Sequence, residues 1–372
     1  MTTKPLYFDF AATTPICQPA REAMIQVMDF GFANYNSTNH ELGRQIKGQI
    51  EQSRLNILKH LGLDQTHYLV LTSGATESIN LVNQGGLKAY RRSLKSMASL
   101  ATDHKVTLKV MEALSLEIQT QLLSVHSNGM VDFTALQDHL RKGPSFVNIC
   151  AVNNETGVIQ PIEKLVNCIH DHGSLIHIDA SQMLGKIPLM HLENVDFMSI
   201  SAHKFYGPKG IGALIIKNNR RIESIFYGSD QEYGLRPGTL ATHQVVGMEK
   251  ALNYAIDTHL HEESRTLRHH EKIRRFFTSK GAKVNGENTC LLTFNVLLPK
   301  PITPMALQTH IAPHIAFSFG SACQTTELAP SHVLKAMGLS PEEASRSIRL
   351  SLGLGMSDES INALLACFET IL

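Results

Sequence analysis

The sequence carries almost no excess charge of either sign. Its 34 Lys and Arg residues are offset by 33 Asp and Glu residues, so that the formal net charge is +1 over 372 residues. The basic residues are scattered, and the positive patch that would attract nucleic acid or an anionic membrane is missing. No apolar run approaches a membrane span, and residues 1–5 lack the apolar core of a signal peptide. We therefore expect a cytoplasmic enzyme that contacts neither nucleic acid nor membrane directly.

Cysteine is also scarce. The six cysteines include no Cys-x-x-Cys pair, which excludes a thioredoxin-like motif and gives no sign of a zinc site. The 19 histidines lack the spacing and nearby carboxylates of a metal centre, so we expect no metal. Cys323 lies in a polar segment of small residues, 317–326, where a thiol would be exposed. The other five have apolar neighbours and are expected to be buried: Cys17, Cys150, Cys168, Cys290 and Cys367.

The order of apolar runs indicates the fold class. Short strand-like runs alternate with helical patterns through most of the first 255 residues, which is typical of an α/β domain with a mainly parallel sheet. A long helical stretch from Thr242 to about Lys280 then leads into a mixture of strand and helix signals. We predict a large cofactor-binding α/β domain at residues 16–255. Residues 1–15 and 256–372 should form a smaller α+β domain that carries the Cys323 segment.

Lys204 is the first candidate for chemistry. It lies in a turn of small residues between two apolar runs, Val195–Ile200 and Ile211–Ile216, that predict buried strands. A lysine in a pocket shifts its pKa readily and forms Schiff bases with carbonyl compounds, pyridoxal phosphate included. The alternative is an ordinary surface lysine beside a glycine turn, and the tetrapeptide Ser201–Lys204 alone does not decide between them.

Further polar residues follow other predicted strands. The segment Ser73–Ser78 joins a strand to a helix, and the backbone N–H groups at such a helix start favour phosphate, although neither a Walker loop nor a dinucleotide motif is present. We also place polar residues at the ends of other predicted strands, at His104, 153–155, 179–182 and 203–204. One of the segments in which we expect a strand is Ser99–Val110. Ligands bind beyond the carboxyl ends of parallel strands, so we expect these groups to meet. The amide-rich loop Gly31–Gly43 is either a ligand loop or a surface connection.

Eight motifs in one order carry a resemblance to a known family. From Tyr7 to about Leu352 the chain resembles the cysteine desulfurases of the NifS/IscS group, which belong to the class V aminotransferases among the fold-type I pyridoxal-phosphate enzymes. The motifs are Asp9–Pro15, Thr72–Ser78, Val152–Gly157, His177–Gln182, Ser201–Gly210, Arg236–Thr239, Gly320–Cys323 and Ser347–Gly353.

The resemblance implies a role for each matching residue. Lys204 would hold pyridoxal 5'-phosphate covalently, Asp179 would pair with the ring nitrogen, His104 would lie against the ring face, and Gln182 would bond the phenolic oxygen. Two residues would hold the substrate carboxylate, Asn154 and Arg349, and Asn34 in the amide-rich loop is a further candidate for substrate binding. The phosphate would be held by Ala75, Thr76, Ser201, His203 and, from a second subunit of a homodimer, Thr239.

The same resemblance implies the reaction. L-Cysteine would become L-alanine, and its sulfur would form a persulfide on Cys323, with His104 as a candidate proton acceptor, before transfer to an acceptor protein. The chain departs from the family pattern at Asn34–Ser37 and Gly228–Tyr233, and it stops short of the C-terminal extension of longer members. We therefore expect a dedicated acceptor, as in tRNA thiolation or DNA phosphorothioation, to be at least as plausible as an iron-sulfur scaffold.

Two other classes stay open on the residues alone. A selenocysteine lyase or an aminotransferase would share Lys204 and Asp179 but would not need Cys323. A catalytically silent interaction protein would need none of these residues intact. Release of alanine from cysteine by a yellow protein would separate these possibilities.

Overall fold

The computed structural model describes residues 5–190, 192–299, 302–319 and 330–372, so Cys323 lies outside the described residues. Within these ranges the strands are β1 Leu6–Tyr7, β2 His67–Thr72, β3 Ser96–Leu100, β4 Gln119–Leu123, β5 Ser145–Cys150, β6 Leu175–Asp179, β7 Phe197–Ser201, β8 Gly212–Lys217, β9 Lys283–Val284, β10 Thr293–Leu297, β11 Ile315–Ala316, β12 Ser318–Phe319 and β13 Ser347–Ser351. The helices are α1 Gln18–Phe30, α2 Glu41–His60, α3 Ala75–Tyr90, α4 Lys105–Leu114, α5 Phe133–Leu140, α6 Ile162–Asp171, α7 Thr242–Ser279, α8 Pro304–His310, α9 His332–Ala336, α10 Pro341–Ser345 and α11 Asp358–Glu369.

The largest sheet has seven strands in the order β2-β8-β7-β6-β5-β3-β4. Its pairs are parallel from β7 through β4, while β8 runs antiparallel to both of its neighbours. Six strands therefore point the same way, and their carboxyl ends meet at one edge. This arrangement confirms the predicted α/β class with a mainly parallel sheet.

The sheet is buried on both faces, which explains why its strands read as nearly continuous apolar runs. Along β2, Leu69 and Leu71 pack into one hydrophobic cluster, whereas Val70 between them packs into the other. Along β5, Phe146 and Val147 divide in the same way. Side chains of a strand alternate between faces, so β2 and β5 each contribute to two cores.

A second sheet carries the C-terminal part of the chain. Its order is β12-β13-β10-β9, and all of its pairs are antiparallel. The N-terminal strand β1 pairs in parallel with β11, so the first residues lie beside this smaller sheet. Helix α7 crosses the predicted domain boundary at residue 255, and the boundaries themselves stay a prediction.

Some local predictions were wrong. The segment Ser99–Val110 contains the end of β3 and the beginning of α4, because His104 caps the helix by accepting a hydrogen bond from the Val106 backbone N–H. Of the five cysteines expected to be buried, Cys168 and Cys367 are only partly covered, since both lie on outer helices. Across the described ranges, no helix is long and apolar enough to cross a membrane.

Candidate active site

A cavity of about 600 Å³ lies at the carboxyl edge of the seven-stranded sheet. Five strands, β2, β3, β5, β6 and β7, end at this cavity, and the smaller sheet closes it from the other side. The predicted residues that line it are Ala75, Thr76, His104, Asn154, Asp179, Gln182, Ser201, His203, Lys204 and Arg349. The structure thus brings together residues that are far apart in the sequence, since Ala75 and Arg349 are 274 positions apart (349 minus 75).

Lys204 follows β7 in a tight turn that is held by the N-terminal segment of the chain. Its Nζ donates hydrogen bonds to the backbone oxygens of Ala11 and Ala12, each at 2.8 Å. The Thr14 hydroxyl donates to the His203 carbonyl and accepts from the Tyr206 N–H. These contacts fix the lysine on the cavity wall, which supports the interpretation of Lys204 as a pocket lysine.

The start of α3 forms an anion-binding end of the cavity. Gly74 precedes the helix with φ of 148°, a conformation that side chains rarely adopt, and Ala75 and Thr76 begin the first turn. The first N–H groups of a helix have no partner within it and favour negative charge. His203 lies nearby with Nδ1 at 3.1 Å from Thr13 Oγ1, and burial together with Lys204 lowers its pKa to about 4.

Asp179 and His104 face the middle of the cavity. Asp179 is 7% exposed, and its carboxylate oxygen accepts the Ser181 N–H at 3.0 Å, so the side chain at the end of β6 is held in place. His104 accepts the Val106 N–H through Nδ1 at 3.2 Å, which leaves the ring proton of the neutral form on Nε2. Burial lowers the pKa of His104, although the Asp179 carboxylate acts in the opposite direction.

Arg349 enters the cavity from β13. Its guanidinium contacts the Asp9 carboxylate at 2.7 Å and the Ser318 hydroxyl at 2.9 Å, and it donates to the Asn154 backbone oxygen at 2.9 Å. These bonds hold the planar group in one orientation before any ligand arrives, as carboxylate recognition requires. Asn154 comes from the large sheet, so a ligand bound by both residues would bridge the two sheets.

Two predicted residues lie away from this cavity. Asn34 and Thr239 are exposed and do not line it, and Asn34 instead accepts the Asn36 N–H within its own loop. Arg236 pairs with Glu77 at 2.8 Å, which places the segment leading to Thr239 beside α3. Another predicted site residue, Cys323, lies outside the described ranges.

Sequence reasoning missed several residues that shape the site. Asp9 anchors Arg349, and Asp103 accepts the Cys150 and Leu100 N–H groups, so that the ends of β3 and β5 are held together. Burial raises the pKa of Asp103 to about 8 and that of Glu155, which accepts from Ser331, to about 7. Asp9 is the first residue of the motif Asp9–Pro15, and Asp103 directly precedes His104. Both residues therefore had a signal in the sequence, but their positions alone did not indicate what they do.

The donor set fits pyridoxal 5'-phosphate. An anion-binding helix start, a buried carboxylate and a fixed lysine amine lie in one cavity, and these are the groups that would bind its phosphate, ring nitrogen and aldehyde carbon. In the described ranges, no group of three or more His, Cys, Asp or Glu side chains could hold a metal ion.

Comparison with known proteins agrees with this geometry. The aminotransferase class-V family matches residues 6–364. A cysteine desulfurase IscS of Vesicomyosocius okutanii is 36% identical over 366 residues, which cover 96% of this chain and 90% of the relative. A solved NifS-like protein superposes with a TM-score of 0.89 at 29% identity, covering 99% of both chains. A structure of SspA in complex with cysteine has a TM-score of 0.80 at 30% identity and covers 95% of this chain and 99% of its own.

The fold and the cavity together define a pyridoxal-phosphate-dependent enzyme of the fold-type I class. The chain belongs to the class-V aminotransferase family and, within it, to the cysteine desulfurases.

Proposed function

We propose that the cavity binds L-cysteine and converts it to L-alanine, and that Cys323 receives the sulfur and passes it to an acceptor protein. The observation that supports this assignment most strongly is the meeting of Lys204, Asp179 and Arg349 in one cavity. Two oppositely charged side chains and a lysine amine are suited to an amino acid and a carbonyl cofactor, and no phosphate-transfer or metal chemistry is needed.

Each residue has a defined task in this proposal. Arg349 binds the substrate carboxylate, together with the side chain of Asn154, while Asp9 and Ser318 keep the guanidinium oriented. Bound pyridoxal phosphate supplies an electron sink for the bonds at the substrate α-carbon, which Asp179 supports by keeping the ring nitrogen protonated. Lys204 Nζ moves protons at the substrate carbon atoms from its position beside Ala11 and Ala12.

The sulfur step balances without a further reagent. The Cys323 thiolate attacks the substrate sulfur, the carbon–sulfur bond breaks, and the carbon takes up a proton to give alanine, so that a persulfide stays on the enzyme. Neutral His104 carries its proton on Nε2 while Nδ1 holds the Val106 N–H. His104 can therefore accept the proton of a thiol only if the Val106 bond opens, and we assign it first to contact with the cofactor ring.

Replacement of the lysine tests the assignment. Lys204→Ala should lower alanine release from cysteine by about 10⁴-fold or more, because it removes the amine that the Ala11 and Ala12 oxygens hold on the cavity wall. It should also remove the visible absorption of the protein on addition of pyridoxal phosphate. Lys217→Ala is the matched control, since Lys217 lies at the opposite end of β8 and bonds Asn194. Wild-type turnover by Lys204→Ala would overturn the proposal.

We further propose a homodimer with two composite sites. Exposed apolar side chains support this arrangement, notably Phe30 at 81% and Phe32 at 78% exposure, because surface aromatics of this extent usually mark an interface. Thr239 is exposed and lies outside its own cavity, as expected of a residue that completes the phosphate site of the partner subunit.

Subunit mixing tests the composite site. A mixture of Lys204→Ala and Thr239→Ala proteins, unfolded and refolded together, should form heterodimers with one complete site and regain activity that neither parent has at low cofactor concentration. Lys204→Ala mixed with Lys217→Ala sets an upper limit that the first mixture should not reach, because Lys217→Ala homodimers are active as well. A monomer with full activity, or a mixture no better than its parents, would contradict the composite site.

For the acceptor we propose a protein of a dedicated thio-modification pathway in the cytoplasm. Support comes from the two loops that depart from the family pattern, 34–37 and 228–233, which contribute to a second surface cavity of about 510 Å³. The five cysteines in the described ranges are free thiols, as in a reducing compartment. Transfer of labelled sulfur from cysteine to candidate acceptors tests the choice, and preferred transfer to an iron-sulfur scaffold would contradict it.

A further inference from the structure

Lys186 is a buried lysine for which the reaction above has no use. It lies in the turn between β6 and β7 and is 7% exposed, and its ammonium group donates a hydrogen bond to Oε1 of Gln182. The turn brings it inward because Gly185 has φ of 68° and lies so close to α7 that a Cβ there would be 2.5 Å from the Ala255 Cβ. The inward position of Lys186 is therefore built into the backbone.

Among the described residues, no carboxylate contributes to the electrostatic surroundings of Lys186. The charged and titratable groups around it include Lys204, Arg349, Cys290 and His203. Burial, followed by the charge of Lys204, lowers the pKa of Lys186 to about 7. A buried amine without an ion pair weakens the fold whenever it is charged, so stability does not explain why a lysine contacts Gln182 here.

The contact fixes which way the Gln182 amide points. Because Oε1 accepts from Lys186, the amide nitrogen must lie on the opposite side, and Nε2 donates to the Ala11 backbone oxygen at 2.7 Å. Lys204 Nζ donates to the same oxygen at 2.8 Å. The amide nitrogen of Gln182 therefore lies on the same side of the cavity as the lysine that the proposed function assigns to the cofactor.

We propose that Lys186 is a positioning residue that holds the Gln182 amide with its NH₂ group toward the cofactor, so that the group donates to the phenolic oxygen. This inference rests on the proposed function. A side-chain amide can rotate to exchange its nitrogen and oxygen, and here the Lys186 donor on one side and the Ala11 oxygen on the other distinguish the two orientations. A donor near the phenolic oxygen favours its anionic form, whereas an amide oxygen there would repel it.

The test uses the pH dependence of the visible absorption of the holoenzyme. Gln182→Leu, which removes the amide, should raise the apparent pKa of the absorption change by about one pH unit. Lys186→Met should raise it by a smaller amount, because the Ala11 oxygen alone then holds the amide. The double variant should match Gln182→Leu alone, since Lys186 acts through Gln182. Shifts that add in the double variant, or a Lys186→Met protein that titrates like wild type, would overturn the inference.

A second variant separates orientation from charge and from folding. Lys186→Gln retains an N–H donor for Gln182 without the positive charge, and its apparent pKa should lie closer to wild type than to Gln182→Leu. If Lys186→Met binds less than one cofactor per subunit, Lys186→Gln alone decides, and a shift equal to that of Gln182→Leu contradicts the inference. Failure of the proposed function is distinguishable, because wild type would then show no visible band that depends on Lys204.

Discussion

Arg54 and Lys186 are both buried basic side chains, yet their surroundings differ. Arg54, on α2, forms a two-bonded ion pair with Glu232, and the same carboxylate also accepts the Leu71 N–H at 2.5 Å. Within the described residues, the Lys186 amine donates to the Gln182 amide oxygen and has no carboxylate partner, and it lies near Lys204 and Arg349. The Arg54 pair lies outside the active-site cavity, while Lys186 adjoins a residue that lines it.

The difference indicates what each region of the molecule is built for. At Arg54 the charges are matched, so the pair joins α2, β2 and the 228–233 loop, where Glu232 has φ of 52°. In the cavity the lysine and arginine charges are held by neutral groups and by single carboxylates, which leaves them available for ligand binding. Unmatched buried charge is common at functional sites because it tunes reactivity at the expense of stability.

The largest expected effect concerns the matched pair. Glu232→Gln leaves the buried Arg54 with only the half-exposed Glu51 carboxylate, at 3.4 Å, as counter-charge and should lower the free energy of unfolding by about 3 kcal/mol. Urea denaturation measures the change, and Glu41→Gln is the control, since its pair with Arg44 is exposed and contributes little. Lys186→Met should cost far less. If it destabilises the protein as much as Glu232→Gln does, the contrast between the two basic side chains is wrong.

A comparable effect, which appears only at acid pH, concerns a neutral histidine within the sheet. His177 contacts Asn148 and Ser199 through its two ring nitrogens, and burial lowers its pKa to about 4. Its contribution to stability is present above the unfolded pKa of about 6.5 and should be lost as pH falls toward 4, by about 3 kcal/mol in all. Urea midpoints between pH 7 and 4 should fall less steeply for His177→Asn than for wild type.

The control for this titration is His126→Asn, because His126 is exposed. His177→Asn should be less stable at pH 7, so the slope with pH, and not the absolute stability, is the decisive quantity. An unchanged slope would show that the acid sensitivity of the sheet arises elsewhere, for instance at His203 in the cavity.

The smallest effect tests the cavity side of the comparison. Arg349→Lys keeps a positive charge near Asp9 but loses the planar pair of donors, so KM for cysteine should rise about 10-fold. The free energy of unfolding should change by only about 1 kcal/mol, since one charge-assisted contact to Asp9 can re-form. Steady-state kinetics and urea denaturation give both numbers. A large loss of stability with unchanged KM would assign Arg349 to structure instead of substrate binding.

Much of the fold could be predicted because its strands and turns carry local signals. The runs that became β7 and β8 bracket the Lys204 turn as expected, and alternation of strands and helices gave the sheet class. Helix α4 was missed because its apolar residues continue the β3 run across His104 without a proline or glycine. The sequence of β13 shows a motif but no strand signal of its own, since its antiparallel pairing with β10 depends on residues about 50 positions away.

The cavity, like the fold, could be predicted only where its residues carry a local signal. His104, Asp179 and Lys204 follow strands and could be placed at one edge from sequence, as could the start of α3. The anchoring of Arg349 by Asp9 joins residues 340 positions apart, and no local pattern encodes it. Lys186 was likewise invisible, because its burial depends on Gly185 meeting α7.

The central claim, sulfur transfer through Cys323, is tested most directly by locating the sulfur after one turnover. Holoenzyme treated with ³⁴S-labelled cysteine, trapped with a thiol-alkylating reagent and digested, should carry the label on the Cys323 peptide, with one alanine released per label. Cys323→Ser should bind the cofactor but carry no label, and Cys367→Ser, a control at a partly covered thiol on α11, should behave like wild type. Label on another cysteine, or alanine release by Cys323→Ser at the wild-type rate, would contradict the account.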